Sequence, residues 1–184
     1  MAEWKRLLDP DVVKKNLQLA SLCLTAYEFL NDSIIERVRG FFTNRFDEKG
    51  RILDEDYALR VLSKAKHVFE ASCLWLVECG AITAQEKDEI LRLREYRNEV
   101  AHKLPRILID PDYQVDRTNL ERMRYFVDKI DRWWIEIEAD VNPDFADADI
   151  GSAESLKMIL LSYLFGIVDE NSGTVNGRTG NVGD

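Results

Sequence analysis

From Val13 onward the apolar residues recur at helical spacing, with Val13, Leu17, Ala20, Leu24, Tyr27, Leu30 and Ile34 falling on one face. Asp9 suits an N-cap and Pro10 the first helical position, so a helix is expected from Asp9 to Phe42. Asn31-Asp32-Ser33 is where it would divide in two, and Gly40 suits its end. Asp47 to Arg51 reads as a loop. A second helix is expected from Asp54 to Cys79, burying Tyr57, Val61, Ala65, Val68, Ser72, Trp75, Leu76 and Cys79, with Gly80 as its C-terminal cap.

Thr83-Ala84-Gln85-Glu86 is a capping box, in which each end residue satisfies the other's orphan backbone donor, and it opens a third helix. Pro105 is expected to limit that helix, because the residue before a proline is pushed out of the α region. Ile107 to Val115 then reads as an extended linker in preference to an edge strand. A long helix from Asp116 to Val141 places Leu120, Met123, Val127, Ile130, Trp134 and Ile137 on one side. An acidic loop follows from Asn142 to Gly151, and a last helix from Ser152 to Val168. The expected fold is all-α, a bundle of about five to six helices. Residues 1–170 would form one domain, and 171–184, rich in Gly, Asn, Thr and Ser, a disordered tail.

Composition narrows the function classes. At 184 residues the chain can bury a core without a metal or disulfide. Cys23, Cys73 and Cys79 are an odd set without regular spacing, which points to a reducing, cytoplasmic setting. The N-terminal segment carries charges where a signal peptide needs an apolar run. The apolar stretch Met158 to Val168 is about half the length of a membrane span, so no membrane contact is expected. With two histidines and no cysteine cluster, neither a metal nor another cofactor is expected.

The net charge of −9 argues against broad nucleic-acid affinity, but its distribution is uneven. Arg92, Arg94, Arg97, Lys103 and Arg106 stand against Glu95 and Glu99 in one short segment, whereas Trp133 to Leu156 holds seven acids and no base. A small phosphate site depends on that local sign. The adjacent Trp133 and Trp134 fit a core or dimer contact better than a base-stacking platform. Glu136, Glu138 and Asp140 scatter around a helix and suit a solvated face. His67, beside Val68 and Phe69, reads as structural or surface.

Arg97 falls beside Ile90, Leu93 and Ala101 on a helical projection, on or next to the buried stripe, where a guanidinium needs a partner. Asn98 and His102 are four apart and share a face. Arg97 and His102 would point about 140° apart on an unbroken helix. They converge only if the helix ends near Ala101 or if a second protomer supplies the other group. The bland alternative is a structural arginine and a histidine favoured by a helix C-terminus.

Arg97-Asn98-Glu99-Val100-Ala101-His102 matches the R-x4-H motif of the HEPN superfamily, and roughly Val12 to Val141 resembles the helical bundle of that family. The resemblance implies a metal-independent endoribonuclease, of the toxin or defence-effector kind, working as a homodimer that brings two motifs into one cleft. In that reading His102 is general acid or base and Arg97 holds the phosphate. Asn98 orients the histidine or a phosphate oxygen, and Arg94, Lys103 and Arg106 contribute weak RNA contacts. The implied partners are a second copy, an RNA substrate and an antitoxin or regulatory protein. Leu104 stands where some toxin members carry a modified tyrosine, which puts that form of regulation in doubt. The alternatives are a catalytically silent HEPN-like dimerisation or partner-binding module, and an unrelated helical interaction protein.

Overall fold

The computed structural model describes residues 9–48, 50–110, 114–142, 151 and 153–175, the last five of these as backbone only. The first helix, α1 (Pro10–Asn31), starts as expected, with the Asp9 carboxylate accepting from the Asp11 N–H at 3.0 Å. The chain does not break at Asn31-Asp32-Ser33. It widens into a π-helical turn over Asp32–Glu36 and continues as α2 (Arg37–Phe41). A π-turn shifts the register of the buried face and releases backbone carbonyls from the i−4 ladder. Here the Ser33 carbonyl accepts from the Trp134 indole N–H at 3.1 Å, 101 residues away. The buried face is wider than the expected one: Ala20, Tyr27, Leu30 and Ile34 are buried as expected, Leu19, Leu22, Cys23 and Ala26 are buried beside them, and Leu17 is exposed.

Three further expectations need correction. The loop at Asp47 to Arg51 is the end of an antiparallel hairpin, β1 (Thr43–Asp47) with β2 (Gly50–Leu53). Gly50 takes a φ of 117°, a backbone state that favours glycine. The helix expected from Asp54 to Cys79 is two, α3 (Glu55–Arg60) and α4 (Val68–Glu78), joined by a 3₁₀ turn (Leu62–Lys64) and extended backbone at Ala65. No glycine or proline marks this break. It lets Tyr57 and Val61 reach the core from one direction and Phe69, Trp75 and Leu76 from another. Cys79, expected to be buried, is exposed.

The third correction concerns Pro105. Helix α5 runs from Ala84 to Ile109, straight through the proline. Ile107 is fully buried, and its carbonyl, left without an intrahelical partner near the helix end, accepts from Asn16 Nδ2 of α1 at 2.7 Å. Packing and this bond outweigh the missing N–H of the proline, so residues 107–109 are helical rather than linker. Residues 111–113 of that expected linker lie outside the described residues. Pro105 is exposed, so Pro105→Ala should restore the lost bond to Ala101 and stabilise the protein by about 2 kcal/mol. The check is a urea unfolding midpoint; an unchanged one would mean that the last turn of α5 does not carry a helix interior's proline penalty.

Helix α6 (Arg117–Val141), capped by Asp116, buries Leu120, Met123, Phe126, Val127, Ile130 and Trp134, while Ile137 is only half-buried. Helix α7 (Leu156–Val175) runs past the expected end at Val168 and includes residues 171–175 assigned to the tail; 176–184 lie outside the described residues. So do residues 143–150 of the acidic loop. Helix α1 is central, packed against α5, α6 and α7. The result is an all-α bundle with a small hairpin at one end. Among the described residues no helix is long and apolar enough to cross a membrane.

Two internal features hold the bundle together. Trp75 stacks on Trp134 with ring centroids 6.2 Å apart, and Phe41, Phe42 and Trp133 pack edge-on or tilted around them. Trp134 therefore belongs to the core, and Trp133 is half-buried beside it. At the π-turn the buried Asp131 accepts from the Ser33 hydroxyl at 2.6 Å. Lys157 of α7 donates to Ser33 Oγ at 2.8 Å and pairs with Asp32 at 2.7 Å. A buried carboxylate is tolerated only with such partners.

Candidate functional site

The site is carried by α5, whose start is set by the capping box read from the sequence. Thr83 Oγ1 accepts from the Glu86 N–H at 3.2 Å, and Glu86 returns the bond to the Thr83 N–H at 2.7 Å. Glu86 and Glu89 then bind Lys129 and Arg122 of α6 at 2.6 Å, which holds α5 in place from its first turns. Ile90, Leu93, Val100 and Ile107 form its buried stripe.

Arg97 leaves this stripe toward α1. Its Nη2 donates to Glu28 Oε1 at 2.6 Å and its Nη1 to Asn98 Oδ1 at 3.3 Å. The guanidinium lies over the Tyr27 ring at 5.4 Å, and its Nε is buried without a hydrogen-bond partner among the described residues. Arg94 sits one turn earlier over Phe69 at 5.3 Å, and Phe69 stacks with Tyr27 at 6.1 Å. The two arginines thus stand on a two-ring rail between α1 and α4. Burial pushes the Tyr27 hydroxyl up to about 12, against the pull of Arg94 and Arg97. The Cys23 thiol beneath is likewise raised by burial to about 12, with Arg97 opposing.

The other expected residues lie on the outer surface. Asn98 and His102 are exposed and four apart on one continuous helix. Lys103 pairs with Glu99 at 2.6 Å and Arg106 with Asp110 at 3.0 Å, both along the helix surface. The basic segment is therefore divided, with Arg94 and Arg97 turned to the bundle and Lys103 and Arg106 bound to carboxylates. His67 is exposed at the N-cap position of α4.

No family model, curated protein or solved structure matches the chain. Because α5 is unbroken to Ile109, Arg97 and His102 of one protomer diverge by about 140° around the helix. One chain brings together Arg97 and Asn98, and Asn98 shares a face with His102. It does not bring Arg97 to His102. Glu28, Tyr27 and Phe69 were not singled out from the sequence. Glu28 has no local signal, since the contact that matters is 69 residues away.

Proposed function

We propose that the protein is a metal-independent endoribonuclease of HEPN type whose site is completed by a second copy of the chain. The observation that carries this reading is the exposed Asn98–His102 face on an unbroken helix, with Arg97 joined to it through the Asn98 side chain. In a two-fold pair, His102 of one protomer and Arg97 of the other would flank one phosphodiester. His102 takes the proton from the ribose 2′-OH, or delivers one to the leaving 5′ oxygen, since an imidazole can serve as general base or general acid. The 2′ oxygen bonds to phosphorus, the bond to the 5′ oxygen breaks, and a 2′,3′-cyclic phosphate results. Arg97 stabilises the charge on the non-bridging oxygens. The test is RNA cleavage by the wild type against His102→Ala.

Glu28 gives the second reading its support. A guanidinium already bound to a carboxylate and laid over an aromatic ring also suits a silent helical module, in which Arg97 ties α5 to α1. The two readings part at that ion pair. Glu28 is about half exposed, so breaking the pair should cost less than about 1 kcal/mol of stability. In the ribonuclease the carboxylate competes with the phosphate for Arg97. Glu28→Gln should then tighten binding of a 2′-deoxy-substituted RNA by roughly 3–10-fold, the range of a modest charge-assisted contact. Fluorescence anisotropy measures it, and unchanged or weaker binding would favour the structural role for Arg97.

A further inference from the structure

Helix α7 is apolar on both sides. Met158, Leu161, Phe165 and Val168 are buried against α1 and α6. On the opposite side Leu156, Ile159, Leu160 and Tyr163 are 70%, 51%, 42% and 68% exposed, one continuous stripe at i, i+3, i+4, i+7 spacing. The two sides carry side chains of similar size and hydrophobicity, so burial alone has little to choose between them. A groove of about 270 Å³ between α7 and α1, lined in part by Leu22, Leu164 and Ile167, leaves room beside the helix for the bulkier Tyr163. An ordinary surface helix is oriented by its polar face. Helix α7 lacks one, for between Leu156 and Val168 the only charged residue is Lys157.

Lys157 is turned inward. Its side chain is 20% exposed, and its three N–H donors meet three acceptors: Asp32 at 2.7 Å, Ser33 Oγ at 2.8 Å and Asp131 at 3.4 Å. Two other elements build this seat. The π-turn supplies Asp32 and Ser33, and α6 supplies Asp131. Ser33 is fixed between them by its hydroxyl bond to Asp131 and by the Trp134 indole bond to its carbonyl. Half a turn of α7 about its own axis would bury a comparable apolar stripe. It would also carry Lys157 out of the seat and leave the buried Asp131 without its cation, which is strongly unfavourable. The other polar contacts of α7 hold its face less firmly, because the Arg117–Asp169 pair and the Arg124–Ser162 bond at 3.1 Å lie in solvent.

We propose that Lys157 is a lock that selects which apolar side of α7 faces the core, and that freeing it lets the helix turn about its axis and exchange the two sides. Helix α7 is then a two-state element, and one inward-turned ammonium decides which stripe the protein displays. Fixing a register or switching between arrangements is the best-attested use of such an ion pair. In the locked state the surface shows Leu156, Ile159, Leu160 and Tyr163; in the turned state it shows Met158, Leu161, Phe165 and Val168. The lock acts whether or not the protein cuts RNA.

Thiol labelling of the full chain reads the two sides. Cys23 and Cys73 are completely buried, and Cys79→Ser removes the exposed native thiol. In that background Ile159→Cys reports the outer side, and Val168→Cys, 6% exposed and close in size to the residue it replaces, reports the inner. With Lys157 in place Ile159→Cys should react at least ~100-fold faster, as for a turned state populated at about 1% or less. Lys157→Met combined with Asp131→Asn opens the lock without leaving a buried carboxylate unpaired. There Val168→Cys should gain at least ~10-fold in rate while Ile159→Cys slows at least ~2-fold. Circular dichroism checks folding. An unchanged pattern in the folded double variant overturns the proposal. So does a gain at Val168→Cys with no loss at Ile159→Cys, which is a helix coming loose rather than turning. If the double variant does not fold, Asp32→Asn decides. It loosens the seat from its half-exposed side and should raise the Val168→Cys rate about 2–5-fold, the span of a surface ion pair, without speeding Ile159→Cys. No rise, or a rise at both positions, overturns the proposal as well.

Discussion

His102→Ala should lower RNA cleavage by roughly 10²–10⁴, the span for loss of a general acid or base. Arg97→Ala should be comparably harmful, because it removes the charge-assisted contacts to the phosphate. Arg97→Lys should restore little, since an ammonium lacks the planar fork that holds both Glu28 and Asn98. His102 is exposed, so its alanine variant should fold normally. Arg97→Ala leaves the Tyr27 ring and Glu28 uncovered, and its melting temperature has to be read beside its rate. Cleavage should persist in EDTA, because the ribose hydroxyl is the nucleophile in the proposed reaction. A substrate with 2′-deoxyribose at the cut site should be inert. Equal cleavage of that substrate would rule the mechanism out. Failure of a folded wild-type dimer to cut any RNA would favour the silent module.

Stability should fall steeply in alkali. Cys23 and Cys73 are completely buried, and burial raises both thiols from 9.0 to about 12. Above pH 9 the unfolded chain gives up these protons while the folded chain retains them, so the unfolded state binds fewer protons and is favoured as pH rises. The contribution is fully present below pH 9 and lost between 9 and about 12. Two such thiols weaken folding by about 2.7 kcal/mol for each pH unit in that window. Tyr27 and Tyr96, also raised by burial from 10.0 to about 12, add to the loss at the upper end. Against a typical domain stability of about 5–15 kcal/mol, a loss of that order should lower the unfolding midpoint strongly between pH 9 and pH 12. Urea midpoints at rising pH, under reducing conditions, give the measurement. A midpoint equal at pH 8 and pH 11 would contradict it, and Cys23→Ala with Cys73→Ala should flatten the slope.

The features read correctly in advance are those decided within a few residues. The Thr83–Glu86 box, the Asp9 start and the apolar stripe of α6 depend on neighbours up to four positions away, which the sequence displays directly. The exposed pair Asn98 and His102 follows from the same periodicity. Errors came where a distant contact outweighed a local preference. Pro105 is a strong local signal for a helix end, yet burial of Ile107 and its bond to Asn16 carry α5 onward. The π-turn likewise answers to contacts with Trp134 and Asp131, and the break before α4 accompanies the burial of Trp75 against Trp134.

By itself, then, the sequence determined an all-α chain and the helix that carries Arg97, Asn98 and His102, because periodicity and capping are local physics. Only the tertiary structure decided what those residues face. It set Arg97 on Tyr27 and Glu28, kept His102 on the far side of an unbroken helix, and left the Leu156–Tyr163 stripe of α7 outward. A guanidinium's partner and a stripe's exposure depend on which helices meet, and that is settled by the burial of the whole core rather than by any one segment.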